Sequence, residues 1–208
     1  MLEPVTTSEH HGVTVTIHRD PHPADPRREF DNLGTVVGWR HPRYCIGDQQ
    51  LSADTRSSGE IVAELIEYDD ARVILPIHFH EQEGDLSTSQ PDDEAFENCD
   101  GVIYVTAARL RKRYRLQRLS KRAIGSATVC LVAEIAEYSA YLSGRVFGFV
   151  IEHNGEHLYS CWGFYQLDYC EARADEAADY EADRLVTEAA EANDWACRGG
   201  LTIDPFAK

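Results

Sequence analysis

The chain has 208 residues, with 36 acidic and 20 basic residues, a formal net charge of −16 and 43% hydrophobic residues. This apolar fraction is too high for a disordered acidic tail, and no apolar run approaches the ~20 residues that span a bilayer. The net charge argues against a protein that coats nucleic acid by charge alone, because the molecule as a whole should repel phosphate. The length fits one domain or a small pair, and we predict a single domain over residues 1–208.

The first half of the chain predicts three strands and one helix. Residues 12–19 alternate apolar and polar side chains, which is typical of a half-buried strand, and residues 35–40 read as a second strand. A capping-box spacing ahead of an apolar stripe predicts a helix over 58–68. Residues 71–80 are apolar and β-branched around Pro76. Because proline cannot donate to a sheet ladder, this third strand is expected at an edge or at a bulge.

Polar and apolar segments then alternate up to residue 143. Residues 81–100 hold eight acids and no base, and are expected to form an acidic surface loop. A short buried strand is predicted over 101–106. It is followed by a helix over 107–115 and by a longer helix over 121–143, which carries an apolar stripe at three- and four-residue spacing.

The clearest local signal is a hairpin over about 145–165. Its turn is Asn154-Gly155, the pair favoured where both turn residues need a positive φ. The alanine-rich segment 168–194 predicts a helix, and the ends 1–11 and 199–208 are expected to be loose. Together these elements predict an α+β fold, a mostly antiparallel sheet with helices packed on one side.

Basic residues are concentrated in one segment. Residues 109–122 contain eight bases and no acid. One hypothesis is a nucleic-acid-binding helix that uses Arg109, Arg111, Lys112, Arg113, Arg115 and Arg118, with Tyr114 as a stacking ring. The other interpretation, which we favour from the sequence, is a solvated helix face that the acidic segments neutralise.

Acidic residues are concentrated in residues 168–194, which hold ten acids and two bases. Carboxylates spaced along a rigid helix could imitate the phosphates of a nucleic acid and bind a basic groove on a protein partner. The residues assigned to this face are Asp175, Glu176, Asp179, Glu181, Asp183 and Glu188. The plainer interpretation is a face that keeps the protein in solution.

Residues with metal-binding or nucleophilic chemistry give weak signals. His78 and His80 project to the same face of a predicted strand and are weak metal candidates, with no third ligand apparent. His10-His11 falls in the loose terminus and is interpreted as incidental. The six cysteines form no C-x-x-C pair, which predicts a reduced, cytoplasmic protein. No cofactor and no catalytic residue are predicted.

Several phrases resemble a family of small, generally hypothetical proteins of bacteriophages, plasmids and other mobile elements. The phrases are DNLGT (31–35), RHPRYCIGD (40–48), ILPIHFHEQEG (74–84), GVIYVT (101–106), EYSAYLSGRVFGFVIE (137–152) and SCWGFY (160–165). The resemblance spans about residues 12–172, and the hairpin is its most specific part. It implies no activity and no catalytic residue.

Three hypotheses about function follow. The first is a non-enzymatic cytoplasmic accessory protein of a mobile element. It would bind a host defence or nucleic-acid-processing complex through the acidic helix (168–194) or the loop (81–100), and would not associate with membranes. The second is a nucleic-acid-binding protein that uses residues 109–122. The third is a metal-dependent enzyme around His78 and His80.

Overall fold

The computed structural model describes residues 3–39, 46–51 and 57–199. The strands are β1 (Pro4–His10), β2 (Val13–Arg19), β3 (Thr35–Gly38), β4 (Gln49–Gln50), β5 (Ala71–His80), β6 (Asp85–Thr88), β7 (Gly101–Thr106), β8 (Phe147–His153) and β9 (Glu156–Phe164). The helices are α1 (Pro26–Glu29), α2 (Ser58–Glu67), α3 (Asp93–Glu97), α4 (Ala107–Tyr114), α5 (Lys121–Leu142) and α6 (Leu167–Gly199). The α+β class with mostly antiparallel sheets is confirmed.

Contacts within the chain divide it into two compact units. One unit is Ala24–Ser143, and the other combines Met1–Pro23 with Gly144–Lys208. The larger unit is therefore inserted, in sequence, between β2 and β8 of the smaller one. A single domain over 1–208 stays a prediction.

The larger unit is a five-stranded sheet in the order β4-β3-β7-β5-β6 with helices on both faces. On one face, Leu131 and Ile135 of α5 pack with Ile103 of β7. On the other face, Ile61 of α2 packs with Val102. Consecutive residues of β7 are buried on opposite faces, and each fully buried aliphatic side chain contributes about 1.5–3 kcal/mol. The prediction that helices pack on one side of the sheet is therefore correct for the smaller unit and wrong for the larger one.

Pro76 lies in a strand that is paired on both sides, between β7 and β6. The sequence predicts an edge or a bulge at this proline. The pairing with β6 begins only at Ile77, so Pro76 precedes the stretch in which β5 has two neighbours. The register with β7 shifts between Ala71 and Val73, further back along the strand. At Pro76, strand β5 therefore pairs with β7 alone, and the N–H that proline lacks is not needed for pairing with β6.

The prediction that residues 81–100 form a loop is wrong, because this segment contains β6 and α3. Leu86 is buried, and its N–H donates to Ser139 Oγ of α5 at 2.8 Å. Asp92 caps α3 by accepting the N–H of Ala95 at 2.7 Å. Cys99, also in this segment, is fully buried, and Phe96 packs beside it. A few apolar side chains and one helix cap therefore order a segment whose acidic composition predicts a loop.

The smaller unit is an antiparallel sheet in the order β1-β2-β8-β9, with α6 on one face. Val15 of β2 and Phe149 of β8 pack against Ala174 and Ala178 of the helix. These alanines bring the helix backbone close to the sheet. The predicted hairpin is confirmed, with Asn154 at φ 51° and Gly155 at φ 80°. The predicted acidic helix is confirmed and extends over Leu167–Gly199.

The prediction of a loose N-terminus over 1–11 is wrong for the residues of β1. Pro4–His10 forms a strand that pairs with β2 along most of its length. Its side chains are exposed except for the half-buried His10, so backbone pairing, and not apolar burial, defines it. A polar strand of this kind has no alternating pattern that the sequence could show. The C-terminal prediction, for 199–208, lies outside the described residues apart from Gly199, the last residue of α6.

Candidate nucleic-acid interface

Helix α4 presents its bases outward because its two apolar residues fix its inner face. Thr106 caps the helix by accepting the N–H of Arg109 at 3.2 Å. Ala107 and Leu110 are fully buried. The helix ends at Arg115, which adopts the left-handed conformation (φ 53°) while its N–H bonds to the carbonyl of Arg111. The four bases of this short helix, Arg109, Arg111, Lys112 and Arg113, are exposed, whereas Tyr114 in its last turn packs against the core.

The start of α5 extends the same basic segment. Ser120 caps α5 by accepting the N–H of Ala123 at 3.2 Å. The first turn contains Lys121 and Arg122 and no acid. Positive side chains at a helix N-terminus oppose the helix dipole, at a cost of about 0.3–1 kcal/mol each. A bound anion at this end would relieve that repulsion.

The bases of α4 border a hollow of about 520 Å³. Its lining combines the loop before β3 with four bases: Asp31, Asn32, Leu33, Arg109, Lys112, Arg113 and Arg115. The Arg109 guanidinium donates to the Asn32 carbonyl at 2.5 Å and to Thr35 Oγ1 at 3.3 Å. Both partners of Arg109 are neutral, so this contact orients the guanidinium without cancelling its charge.

The bases of residues 109–122 are all exposed. Within the part of the chain that the structure describes, only one of the eight forms an ion pair, Arg113 with Asp31 at 3.5 Å. This pair is on the surface, where such contacts contribute at most about 1 kcal/mol. Among the described residues of the larger unit, no ion pair joins this face to the acidic segment 81–100, and neutralisation by the acidic segments stays a prediction. Tyr114 packs against the apolar core and is not a free stacking ring.

The acids assigned to the partner-binding face of α6 differ in their surroundings. Glu181 is buried and pairs with Arg184, which also pairs with Glu188 at 2.6 Å. Glu176 pairs with Arg173. Asp175, Asp179 and Asp183 are exposed, and the first two lie beside His10. Half of the predicted acidic face is thus compensated by arginines of the same helix.

His78 and His80 lie on β5, as predicted, but they contact hydroxyl groups. His78 Nε2 is 3.3 Å from Ser89 Oγ, and His80 Nε2 is 3.0 Å from Ser87 Oγ. Over the described ranges, these two histidines belong to no group of three potential ligands. The sequence-based metal candidate therefore gains no third ligand from the fold.

Two clusters that sequence reasoning missed bring distant residues together. In the smaller unit, His10, His11 and Asp179 form the one group of three potential metal ligands among the described residues. In the larger unit, the guanidinium of Arg27 lies between Asp48 and Glu134. Burial acts to lower the pKa of Arg27, but these two carboxylates outweigh it and raise the pKa. Glu134 lies beside the apolar stripe of α5. An acid at that position was the one signal in the sequence that pointed to a buried carboxylate.

The described cysteines are free, and two of them carry perturbed thiols. Burial raises the pKa of Cys170 to about 12. Burial, followed by the charge of Glu134, also raises the pKa of Cys130. Raised values keep both thiols protonated at neutral pH, so neither has the character of a nucleophile.

One helix of the described chain, α5, is long and apolar enough to cross a membrane by length and composition. Its residues Ala127, Leu131 and Ile135 are buried in the core of the larger unit. A cytoplasmic location stays a prediction. No protein-family model, curated protein or solved structure matches this chain.

Proposed function

We propose that this protein binds nucleic acid through the basic surface formed by α4 and the start of α5 (residues 109–122). The observation that carries the proposal is the exposure of eight bases, of which only Arg113 pairs with a carboxylate among the residues described. Exposed bases clustered in one segment are the electrostatic feature that nucleic-acid-binding proteins share.

The net charge of −16 does not exclude this function. Charges are screened over about 8 Å at physiological ionic strength, so a phosphate at the surface responds mainly to its immediate surroundings. There it meets four bases around the 520 Å³ hollow and one acid, Asp31. The acidic blocks elsewhere lower the long-range attraction, and the contacts between bases and phosphates make binding sensitive to salt.

The chemistry of this surface favours phosphate contacts over base recognition. Arginine forks match phosphate oxygens, whereas reading a sequence requires side chains that reach base edges. Tyr114 is packed inward, so the basic helix offers no aromatic ring for stacking. We therefore propose binding to the sugar-phosphate backbone with little sequence preference. The resemblance to proteins of mobile elements supports a role as an accessory protein that acts on the element's own nucleic acid.

The test compares two double variants with the same change in net charge. Lys112→Glu with Arg113→Glu removes two bases of the hollow. Arg72→Glu with Arg173→Glu is the control, because both side chains are about half exposed and lie outside the basic surface. Binding of labelled single- and double-stranded DNA and RNA is measured by fluorescence anisotropy over a salt series.

We expect the wild-type protein to bind at low salt and the Lys112/Arg113 variant to bind at least about 10-fold more weakly. The slope of log affinity against log salt should fall by about 1.8 when two phosphate contacts are lost. The control should keep the wild-type slope. Absence of wild-type binding at low salt, or an equal loss in both variants, contradicts the proposal.

A second candidate function rests on the exposed acids of α6. Asp175, Asp179 and Asp183 follow each other at four-residue spacing, which separates them by about 6 Å along the helix. A regular row of carboxylates suits a basic groove on a protein that binds nucleic acid, and we propose that a partner of this kind is bound here.

Affinity capture from a host lysate tests this second function. Asp175→Lys with Asp183→Lys should abolish capture of the partner, whereas Glu67→Lys with Glu94→Lys, at exposed positions of the larger unit, should not. Capture that is unchanged in the α6 variant contradicts acidic mimicry.

A further inference from the structure

We propose that His10, His11 and Asp179 form a zinc-binding site that joins the β1–β2 turn to helix α6, with Asp175 orienting His10. The nearest ligand atoms of the three residues lie within 4.8 Å of one another. Two imidazoles and a carboxylate are a ligand set that Zn²⁺ accepts in four-coordinate sites, with the remaining position open to water. The site is independent of the basic surface, which belongs to the other unit.

Backbone conformation brings the two histidines to the same side. Consecutive residues of a strand point to opposite faces, so a regular strand would separate them. His11 instead adopts φ 49° and Gly12 adopts φ 87°, the paired positive values of a tight hairpin turn. The imidazole rings consequently meet edge to face, with their centroids 4.6 Å apart. A positive φ is uncommon for a residue with a side chain, because it is higher in energy than the ordinary conformations. A functional role of the His11 side chain would explain why a histidine occupies this position.

Distances within the cluster are close to those of a metal site. His10 Nε2 is 2.8 Å and His11 Nε2 is 3.4 Å from the same oxygen, Asp179 Oδ1. Tetrahedral ligands about 2.0–2.1 Å from zinc lie about 3.4 Å from each other. Small side-chain rotations are therefore sufficient to admit the ion, and the exposure of His11 and Asp179 leaves room for them.

Asp175 is placed to become the outer hydrogen-bond partner that histidine ligands usually have. It precedes Asp179 by one helical turn, so both carboxylates lie on the same face of α6. Asp175 Oδ1 is 4.0 Å from His10 Nδ1, the ring nitrogen opposite the one that faces Asp179. This distance exceeds a hydrogen bond, so a small side-chain rotation on zinc binding would have to bring the carboxylate to Nδ1. There it would fix the tautomer in which Nε2 carries the lone pair for the metal.

The location gives such a site a structural use. Strand β1 has an exposed edge and buries no apolar side chain. His10 is its one half-buried residue and hydrogen-bonds to α6 through Asp179. A metal ion there would fasten an otherwise weakly held strand to the helix that covers the sheet. Zinc binding would thus stabilise β1 locally and slow the hydrogen exchange of its amides.

Zinc titration of the full chain, without a histidine tag and after treatment with a chelator, tests the proposal. We expect one zinc ion per chain at micromolar zinc. His10→Ala and Asp179→Asn should each weaken binding at least about 100-fold, and Asp175→Asn about 10-fold. The matched controls are His157→Ala and Asp168→Asn, an exposed histidine of β9 and an exposed aspartate in the first turn of α6. Both should bind zinc as the wild type does.

Two further measurements separate this site from other sources of binding. Substitution with Co²⁺ should give a spectrum without thiolate charge-transfer bands, which excludes the free cysteines as ligands. Hydrogen exchange should show slower exchange of β1 amides on adding zinc in the wild type and no change in Asp179→Asn. Wild-type protein that binds no zinc, binding that persists in both His10→Ala and Asp179→Asn, or a thiolate signature would overturn the proposal.

Discussion

Arg27 and Glu134 are 107 positions apart in sequence, and Nη1 of the arginine donates to Oε2 of the glutamate at 3.1 Å in the core of the larger unit. The same carboxylate accepts the backbone N–H of Leu33 at 2.5 Å and that of Gly34 at 3.1 Å. One side chain of α5 therefore holds both the helix-borne arginine and the loop that leads into β3. This loop also forms one wall of the basic hollow.

Glu134→Ala is expected to destabilise the protein by about 3 kcal/mol. The substitution leaves the buried Arg27 with one carboxylate partner instead of two and leaves two backbone N–H groups without an acceptor. Urea unfolding measures the change. Glu67→Ala, at an exposed position of α2, should change the free energy of unfolding by less than about 0.5 kcal/mol. Equal changes in the free energy of unfolding would show that the buried contacts of Glu134 do not stabilise the fold.

Glu137→Gln is expected to stabilise the protein at neutral pH. Burial, followed by the charge of Glu134, raises the pKa of Glu137 above its ordinary value of 4.5. The folded state therefore binds this proton more tightly than the unfolded state, and stability falls as pH rises through the raised pKa. The neutral glutamine avoids that loss. Urea unfolding at pH 7 should favour the variant, and its advantage should shrink as the pH is lowered toward 4. A constant advantage at all pH values would refute this explanation.

Gly148→Ala is expected to destabilise the smaller unit by about 1–3 kcal/mol, the usual cost of overpacking. A Cβ at this position would overlap the indole ring of Trp162 and lie 2.8 Å from the carbonyl oxygen of Cys161. Gly148 and Trp162 are direct partners across β8 and β9, so the missing side chain makes room for the ring.

The control for this prediction is the same substitution in a helix. A Cβ at Gly125, in the interior of α5, meets nothing within 4 Å. Gly125→Ala should therefore raise stability by about 0.5–1 kcal/mol, because alanine restricts the unfolded chain. Thermal unfolding of both variants gives the comparison. Destabilisation by both, or by neither, would contradict the role assigned to the Gly148–Trp162 contact.

Cys170 is expected to resist alkylation in the folded protein. Its side chain is fully buried, and burial raises its pKa to about 12, so little thiolate exists at pH 8. Iodoacetamide labelling followed by peptide mapping distinguishes the cysteines individually. Cys161, which is only half-buried, should react faster than Cys170 in the native state, and the difference should disappear in urea. Equal native rates would contradict the burial of Cys170.

Local signals in the sequence were sufficient to predict those elements whose own residues specify their conformation. Asn154-Gly155 specifies its hairpin turn, and the apolar stripe of α5 specifies its buried face. Strand β1 was missed because its side chains stay in water and only its backbone pairs. Strand β6 was missed because Leu86 is its single buried residue.

The candidate sites depend on contacts between distant residues, which a sequence does not display. His10 and Asp179 are 169 positions apart and meet only after β1 has paired and α6 has packed. The basic segment was visible at once, but its exposure could be judged only in the fold. His78 and His80 carried the expected spacing, and the structure shows their ring nitrogens near Ser89 and Ser87.

The insertion of residues 24–143 between β2 and β8 also sets an order for biosynthesis. Val15 and Thr16 leave the ribosome long before their partners Ile151 and Val150. At about 5–20 residues per second, the wait lasts several seconds or more. The inserted unit has all of its strands and helices by Ser143 and can fold first. The sheet that carries the histidine cluster closes last, when the hairpin and the acidic helix have been made.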